Sequence, residues 1–169
     1  VFDVLSLRAW NVWWLVQEAA AGGQFIADDV EFLGPITLRH VGYLVTGGLR
    51  GLGLGRGDVV GMFLPNLPHA AVAMLAVAKI GAIVLPMFSG FGADAITQRL
   101  NDGRAVALIT VDGSLRRGKP VSAKPVVDDA LKQCPGVRHV VVLNHLTTRH
   151  GWTAGRDHWW HELASGAPD

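Results

Sequence analysis

The sequence predicts an α/β fold in which a mainly parallel sheet is covered by helices. Segments of strand length that are almost wholly apolar alternate with segments of helix length. Continuous apolarity is what a strand requires when helices cover both faces of its sheet. Repeated strand–helix units also place the strands parallel to each other. The 169 residues are enough for one domain with a hydrophobic core.

We expect the first 33 residues to form a segment of their own, ahead of an α/β subdomain at residues 34–169. Three tryptophans recur at helical spacing in residues 1–22, which predicts an amphipathic helix. Residues 24–32 have the composition of two short strands. We also expect the chain to be trimmed at its front, because it opens with Val1, Phe2 and Asp3 and has neither the basic lead nor the cleavage site of a signal peptide.

Helices and strands then alternate along most of the chain. Thr37 provides the N-cap of the first helix, and Asp157 provides that of the last. Glycine and proline separate the segments, since both residues interrupt regular structure. The helices are predicted at residues 37–52, 69–80, 93–102, 126–133 and 157–164, and the buried strands at residues 59–64, 82–87, 105–110 and 137–143.

The predicted strands lie in one sheet and bury apolar side chains on both of its faces. Strands covered by helices lose contact with water on each side, so apolar residues occupy consecutive positions. We expect the core of this sheet to contain Val60, Met62, Leu64, Ile83, Leu85, Leu108 and Val141.

Charge and composition exclude several classes of protein. The chain has 15 Lys and Arg residues against 14 Asp and Glu residues, and its net charge of +1 provides no general field for nucleic acid or an anionic membrane. Its apolar stretches are much shorter than the roughly 20 residues that cross a bilayer. Cys134 is the single cysteine, so we expect no internal disulfide and a reducing cytoplasm.

Residues 113–120 carry the densest cluster of positive charge. They match the pattern G-x-x-x-x-G-K of a phosphate-binding loop and follow a predicted strand. Pro120 replaces the hydroxyl that holds magnesium in such loops, so the segment does not fit a true P-loop. Arg116, Arg117 and Lys119 then have two interpretations that the residues alone leave open. They form a local anion site at the end of a strand, or a basic turn in solvent.

Two further patterns have structural explanations. The glycine-rich residues 48–57 follow a helix and precede a strand, which reverses the order found in a dinucleotide-binding loop, so a helix end with a turn is expected. His158 and His161 are one helical turn apart, but no third ligand lies at metal-binding spacing. We therefore expect both histidines to be structural and no metal to bind.

Five segments in order resemble the amino-terminal region of AMP-forming acyl-CoA and acetyl-CoA synthetases. They run from residue 34 to residue 163 and include the sequences SGFGADAI and RRGK. The resemblance implies a fold that is part of the large N-terminal domain of adenylate-forming enzymes. It also implies their two-step reaction, in which ATP and a carboxylic acid form an acyl-adenylate and the CoA thiol then displaces AMP.

The resemblance also implies a CoA site. By it, the segment Arg116-Arg117-Gly118-Lys119 contacts the phosphorylated nucleotide end of CoA, which suits guanidinium and ammonium groups. Gly90 lies in a turn similar to the family's turn near the CoA channel, where a missing side chain lets ligand approach the backbone. The full-length parent is expected to use CoA, ATP and magnesium, and this piece to require none of them.

Two hypotheses about function follow. In the first, the chain is the N-terminal portion of a cytoplasmic acid:CoA ligase for a short or medium carboxylic acid, with small-molecule partners and no nucleic acid or membrane span. The piece alone is expected to be inactive and to hold no catalytic residue, because the family's phosphate loop, acidic ribose-binding residue and catalytic lysine have no match in it. In the second, it is a non-catalytic module of a truncated homologue that binds CoA, a nucleotide or another protein.

Overall fold

Helices alternate with strands through the described part of the chain, as predicted. A computed structural model describes the backbone of residues 35–165 and the side chains of residues 43–164. Residues 1–40 and residues 41–169 form separate units, and nearly all described residues belong to the second. The helix and the two strands predicted before residue 34 lie outside the described residues.

The helices and strands of the described residues are numbered in chain order. The helices are α1 (Pro35–Gly51), α2 (Pro68–Lys79), α3 (Ala93–Asp102), α4 (Lys124–Leu131) and α5 (Trp160–Ser165). The strands are β1 (Val59–Phe63), β2 (Ile83–Pro86), β3 (Ala107–Val111), β4 (Gly113–Arg116), β5 (Lys119–Ser122), β6 (His139–Leu143) and β7 (Asp157–Trp159). Within this part of the chain, no helix combines the length and the apolar character needed to cross a membrane.

Five strands form one parallel sheet, which confirms the predicted fold class. The strand order is β2-β1-β3-β6-β7, and every neighbouring pair is parallel. The inner strands β1, β3 and β6 are buried along almost their whole length, because helices cover both faces. In register, Val60 lies opposite Ala107, and Leu108 lies opposite Val140.

Two hydrophobic cores lie on the two faces of this sheet. On one face, α1, α2 and α5 pack on strand residues such as Val60 and Val141. On the other, α3 and α4 pack on residues such as Val140 and Val142. Side chains alternate between faces along a strand, so one continuous apolar strand supplies both cores. Cys134 is buried in the second core, where burial raises the pKa of its thiol.

β2 lies at the edge of the sheet, and the prediction that Ile83 and Leu85 are buried is therefore wrong. Ile83 is 54% exposed, and Leu85 is only partly buried. β2 pairs with β1 alone, and an edge strand has a neighbour on one side only. The other predicted core residues are buried, namely Val60, Met62, Leu64, Leu108 and Val141.

Two predicted N-caps are also wrong. α1 begins at Pro35, so Thr37 lies inside the helix. Proline suits a first helical turn, where its missing N–H is not needed. Residues 157–159 form strand β7 instead of a helix, and α5 begins only at Trp160. This segment pairs with β6 in the sheet, so a long-range pairing takes the place of the local helix.

Residues 113–122 form an antiparallel hairpin of β4 and β5, where the sequence predicts only a turn. The hairpin is a two-stranded sheet of its own. Arg117 has a φ of 50° and Gly118 a φ of 75°. Positive φ at both central residues is what a two-residue hairpin turn of type I′ requires. Glycine adopts this conformation readily, whereas an arginine seldom does.

Four charged side chains, two of them fully buried and two partly exposed, form a cluster between α4 and β7. Lys124 is fully buried, and its Nζ donates to both carboxylate oxygens of Asp128, at 2.7 and 2.8 Å, and to Asp157 at 2.9 Å. Arg156 donates from Nε to Asp157 at 2.7 Å and from a terminal nitrogen to Asp128 at 2.9 Å. Two cations face two carboxylates, so no net charge is buried.

The cluster keeps Asp157 ionised in spite of its burial. Burial by itself raises the pKa of this carboxyl, but hydrogen bonds from Arg156, Lys124 and the N–H of Thr153 outweigh it and hold the pKa below its usual range. Burial likewise lowers the pKa of Arg156, yet its contacts with Asp157 and Asp128 raise it overall. An ionised, hydrogen-bonded cluster thus ties α4 to the edge strand β7.

We expect Lys124→Met to lower the free energy of unfolding by about 3–5 kcal/mol, because it removes one of the two cations paired with the buried Asp157 and leaves Oδ2 of that carboxylate without a charged partner. Urea denaturation of the 169-residue chain measures the change. Lys132→Met is the control, since Lys132 pairs with Asp129 but both side chains are largely exposed. It is expected to cost less than about 1 kcal/mol. Equal losses in the two variants would contradict the role given to burial.

Candidate functional site

The basic segment singled out from the sequence forms the tip of the hairpin. Arg116 is the last residue of β4, Arg117 and Gly118 form the turn, and Lys119 is the first residue of β5. All four residues are exposed. Arg116 and Lys119 are paired directly across the hairpin, so their side chains leave the same face. The tip therefore concentrates three cations.

The hairpin lies at the carboxyl edge of the parallel sheet. It follows β3 after the single residue Asp112, and the turn at residues 87–92 follows the carboxyl end of β2. Parallel strands end at the same edge of a sheet, and open α/β sheets bind their ligands there. Both segments that carry candidate residues are thus on the side of the sheet where a ligand site is expected.

The backbone of Gly90 lies against the guanidinium of Arg116. A Cβ atom added to Gly90 would overlap a terminal nitrogen of Arg116 and the ring of Phe88. The structure therefore brings together two candidate residues that are far apart in the sequence. A side chain at position 90 would displace the exposed end of the Arg116 side chain from this contact.

Phe88 adds an exposed aromatic surface beside this contact. Its ring is 65% exposed and meets the ring of Phe91 edge to face, with 5.9 Å between the centroids. The guanidinium of Arg99 lies over the Phe91 ring, 5.6 Å from its centroid. Phe88 is not among the site residues predicted from the sequence. The feature that could have identified it is its position as a large aromatic residue between a strand and a glycine-containing turn.

Asp112 lies at the base of the hairpin and is fully buried. Its carboxylate accepts hydrogen bonds from the backbone N–H groups of His145 and Thr148, both at 2.8 Å, and of Leu146 at 3.2 Å. Burial by itself raises the pKa of this carboxyl, but the N–H donors outweigh it and hold the pKa of Asp112 below its usual range. Sequence reasoning missed this residue, because an acidic residue after a strand carries no distinctive pattern.

The backbone of Asp112 also closes the hairpin. Its carbonyl oxygen accepts the N–H groups of Ala123, at 2.9 Å, and Lys124, at 3.2 Å, which directly follow β5. Its own N–H donates to the carbonyl oxygen of Leu143 at 2.9 Å. One residue therefore joins the entry and the exit of the hairpin to the end of β6.

His158 and His161 do not share a helix, contrary to the expectation from their spacing. His158 is in β7, and its Nε2 lies 3.1 Å from Nδ1 of His139 on the neighbouring strand. His161 is in α5 and stacks on Trp159, with 5.9 Å between the ring centroids. Among the residues whose side chains are described, no three His, Cys, Asp or Glu are grouped so that they could hold a metal ion.

The contact between His139 and His158 requires at least one neutral ring. In a hydrogen bond between two imidazoles one nitrogen donates and the other accepts, so the bond is lost when both rings are protonated. Burial, together with the charges of His158 and Arg138, lowers the pKa of His139. Low pH therefore weakens this hydrogen bond between β6 and β7.

Residues 45–168 match the AMP-binding enzyme family. The acetyl-coenzyme A synthetase of Streptomyces avermitilis is 49% identical over 114 residues, which are 68% of this chain and 18% of that protein. The acetyl-coenzyme A synthetase of Pyrobaculum arsenaticum is 47% identical over 117 residues, 69% of this chain and 18% of that protein. A solved structure, acetoacetyl-CoA synthetase from Streptomyces lividans, matches with a TM-score of 0.70 and 31% identity over 78% of this chain and 20% of that one. The chain spans 18–20% of the length of these proteins.

We expect the free energy of unfolding to decrease as the pH is lowered from about 7.5 to about 5.5. We expect this decrease to be smaller in His139→Gln. A histidine whose pKa is lowered by folding stays neutral in the native state while the unfolded chain takes up a proton. It therefore costs no stability above the unfolded pKa of about 6.5 and destabilises as the pH falls below it. Urea denaturation at the two pH values measures the effect. His145→Gln, at an exposed position, is the control, and an undiminished fall in His139→Gln would contradict the prediction.

Proposed function

This chain belongs to the AMP-binding enzyme family, and we propose that it is the N-terminal portion of an AMP-forming acid:CoA ligase. In this proposal the whole protein activates a short or medium carboxylic acid with ATP and transfers the acyl group to CoA. The acetyl-coenzyme A synthetases among its relatives support the type of reaction. The acetyl and acetoacetyl groups in the names of these relatives favour a small acid.

Within this function, we assign the hairpin tip to the phosphorylated nucleotide end of CoA. The observation that carries the assignment is the direct pairing of Arg116 with Lys119 in a hairpin whose turn adds Arg117. Like charges opposite each other destabilise a hairpin, and a phosphate group between them removes the repulsion. Gly118 permits the tight turn that sets the two side chains on one face.

CoA suits this site better than ATP does. Guanidinium groups bind a phosphate monoester such as the 3′-phosphate of CoA through paired N–H donors, without a metal. ATP is handled together with magnesium, and Pro120 stands where a P-loop has the hydroxyl that holds the ion. Arg116, Arg117 and Lys119 are therefore assigned to CoA, and Gly90 leaves room for the guanidinium of Arg116.

Phe88 gives the site an apolar surface next to its cations. The nucleotide end of CoA combines phosphate with a flat adenine, and exposed aromatic rings stack on bases. The ring of Phe88 is exposed and lies beside Gly90, which in turn lies against Arg116. A ligand with both groups would contact the cation and the ring together.

In the proposed reaction, this part of the protein binds and orients CoA. ATP and the acid first give an acyl-adenylate and pyrophosphate, after which the CoA thiol attacks the acyl carbon and AMP leaves. Magnesium bound with ATP neutralises charge on the phosphates. The hairpin and the Gly90 turn hold the far end of CoA, and fixing that end lowers the entropic cost of aligning the thiol.

In the full-length ligase, Arg116→Ala is expected to raise the KM for CoA by roughly 10- to 150-fold, the equivalent of about 1.5–3 kcal/mol lost from a charge-assisted contact. Adenylation, measured as acid-dependent exchange of pyrophosphate into ATP, should be unchanged. The matched control is Arg56→Ala, since Arg56 is also exposed but precedes β1, at the opposite edge of the sheet. Loss of adenylation with an unchanged KM for CoA would assign the hairpin to ATP instead.

The 169-residue chain by itself is expected to form no acyl-adenylate. The family's phosphate loop, acidic ribose-binding residue and catalytic lysine have no match in it. Without them, charge that develops on the α-phosphate in the transition state lacks a cationic partner. Pyrophosphate release from ATP is measured with and without acetate. Acetate-dependent release by the purified chain would overturn this prediction.

A further inference from the structure

The direction in which the hairpin tip points depends on the base of the hairpin. The tip residues are exposed, and so are Leu115 and Val121 on its strands, at 63% and 42%. An isolated two-stranded hairpin is only marginally stable, because it has little apolar surface to bury. The contacts at its base therefore decide where Arg116 and Lys119 lie.

Asp112 makes those contacts on both sides of the base. Its carbonyl oxygen holds the residues that leave the hairpin, and its carboxylate holds residues 145–148, which follow β6. The neighbouring Gly113 is tightly enclosed: a Cβ there would lie 2.9 Å from the carbonyl oxygen of Val121 and 3.1 Å from Cγ2 of Thr148. Gly113 is thus the point where β4 meets both β5 and the loop after β6.

The carboxylate of Asp112 is suited to hold this arrangement. A buried carboxylate is costly unless its oxygens are paired with donors. Here Oδ1 accepts from the N–H of His145, and Oδ2 accepts from the N–H and the hydroxyl of Thr148. An asparagine would present an NH2 group to one of these sets of donors. The loop or the base of the hairpin would then have to move.

We propose that Asp112 is a positioning residue for CoA binding, which sets where the tip of the hairpin lies. This inference rests on the proposed function of the hairpin. Asp112 is buried and does not reach the exposed tip, so its effect passes through the backbone. The carboxylate fixes residues 145–148, this loop packs on Gly113, and Gly113 begins the strand that ends at Arg116.

The test is Asp112→Asn in the full-length ligase, with CoA kinetics and pyrophosphate exchange measured on the same preparation. We expect the KM for CoA to rise by about 10-fold, since displacement of a binding group by about 1 Å is sufficient for a change of this size. Exchange and kcat should stay at the level of the unchanged enzyme. The matched control is Asp58→Asn, which alters another carboxylate that accepts a backbone N–H, from Gly55 at 2.8 Å, but precedes β1 at the opposite edge of the sheet, and should leave the KM for CoA unchanged.

A double variant separates positioning from a general loss of structure. If Asp112 acts through Arg116, the rise in KM for Asp112→Asn combined with Arg116→Ala is smaller than the product of the two single effects. If the KM of the double variant instead rises by the full product of the two single effects, the two residues act independently and the proposal is overturned. Loss of pyrophosphate exchange in Asp112→Asn would also overturn it, because the residue would then support the fold as a whole.

The outcomes distinguish this proposal from the function on which it rests. No rise in the KM for CoA with Arg116→Ala overturns both. A rise with Arg116→Ala and none with Asp112→Asn overturns the positioning role alone. If Asp112→Asn does not accumulate as folded protein, Thr148→Val is measured instead, since it removes only the 3.3 Å hydroxyl bond to Asp112. A smaller rise in the KM for CoA then supports the proposal, and no rise overturns it.

Discussion

The buried ion pair between Lys124 and Asp157 is the constraint on which this part of the molecule depends. It joins α4, on one face of the sheet, to β7 at the edge. Burial of two charges is costly, and the cost is offset only when each charge is paired and hydrogen-bonded. Asp128 and Arg156 complete that pairing. Hydrogen bonds fix distance and direction, whereas hydrophobic burial is non-directional, so the cluster specifies where β7 lies.

A second buried carboxylate extends this framework to the candidate site. Residues 144–156 connect β6 to β7, with Asp112 holding the start of the connection and Asp157 holding its end. Both carboxyls have a pKa below the usual range, and both accept backbone N–H groups that regular structure leaves without partners. Lys124 is the second residue after the hairpin. Polar, directional contacts therefore surround the base of the hairpin, at the carboxyl edge of an apolar sheet.

Several features of the candidate site lower the stability of the protein when no ligand is bound. Arg117 has a positive φ, Arg116 and Lys119 face each other with like charge, and Phe88 exposes most of its ring. Each feature costs free energy in the free protein. Residues that break local rules in this way commonly mark functional sites. Here they lie together at the carboxyl edge of the sheet, and a bound ligand with a phosphate and an aromatic base would offset their cost.

The sequence by itself determined the parallel sheet, its covering helices and the family. Apolar runs and helical periodicity are properties of residues that are close in the chain, so they can be recognised from the sequence before the fold is known. Only the tertiary structure decided that Ile83 lies at an edge, that residues 157–159 pair as a strand, and that residues 113–122 form a hairpin. It also placed Gly90 against Arg116. These outcomes depend on contacts between distant segments, and the neighbours of a strand or of a buried charge are chosen by the whole fold rather than by local composition.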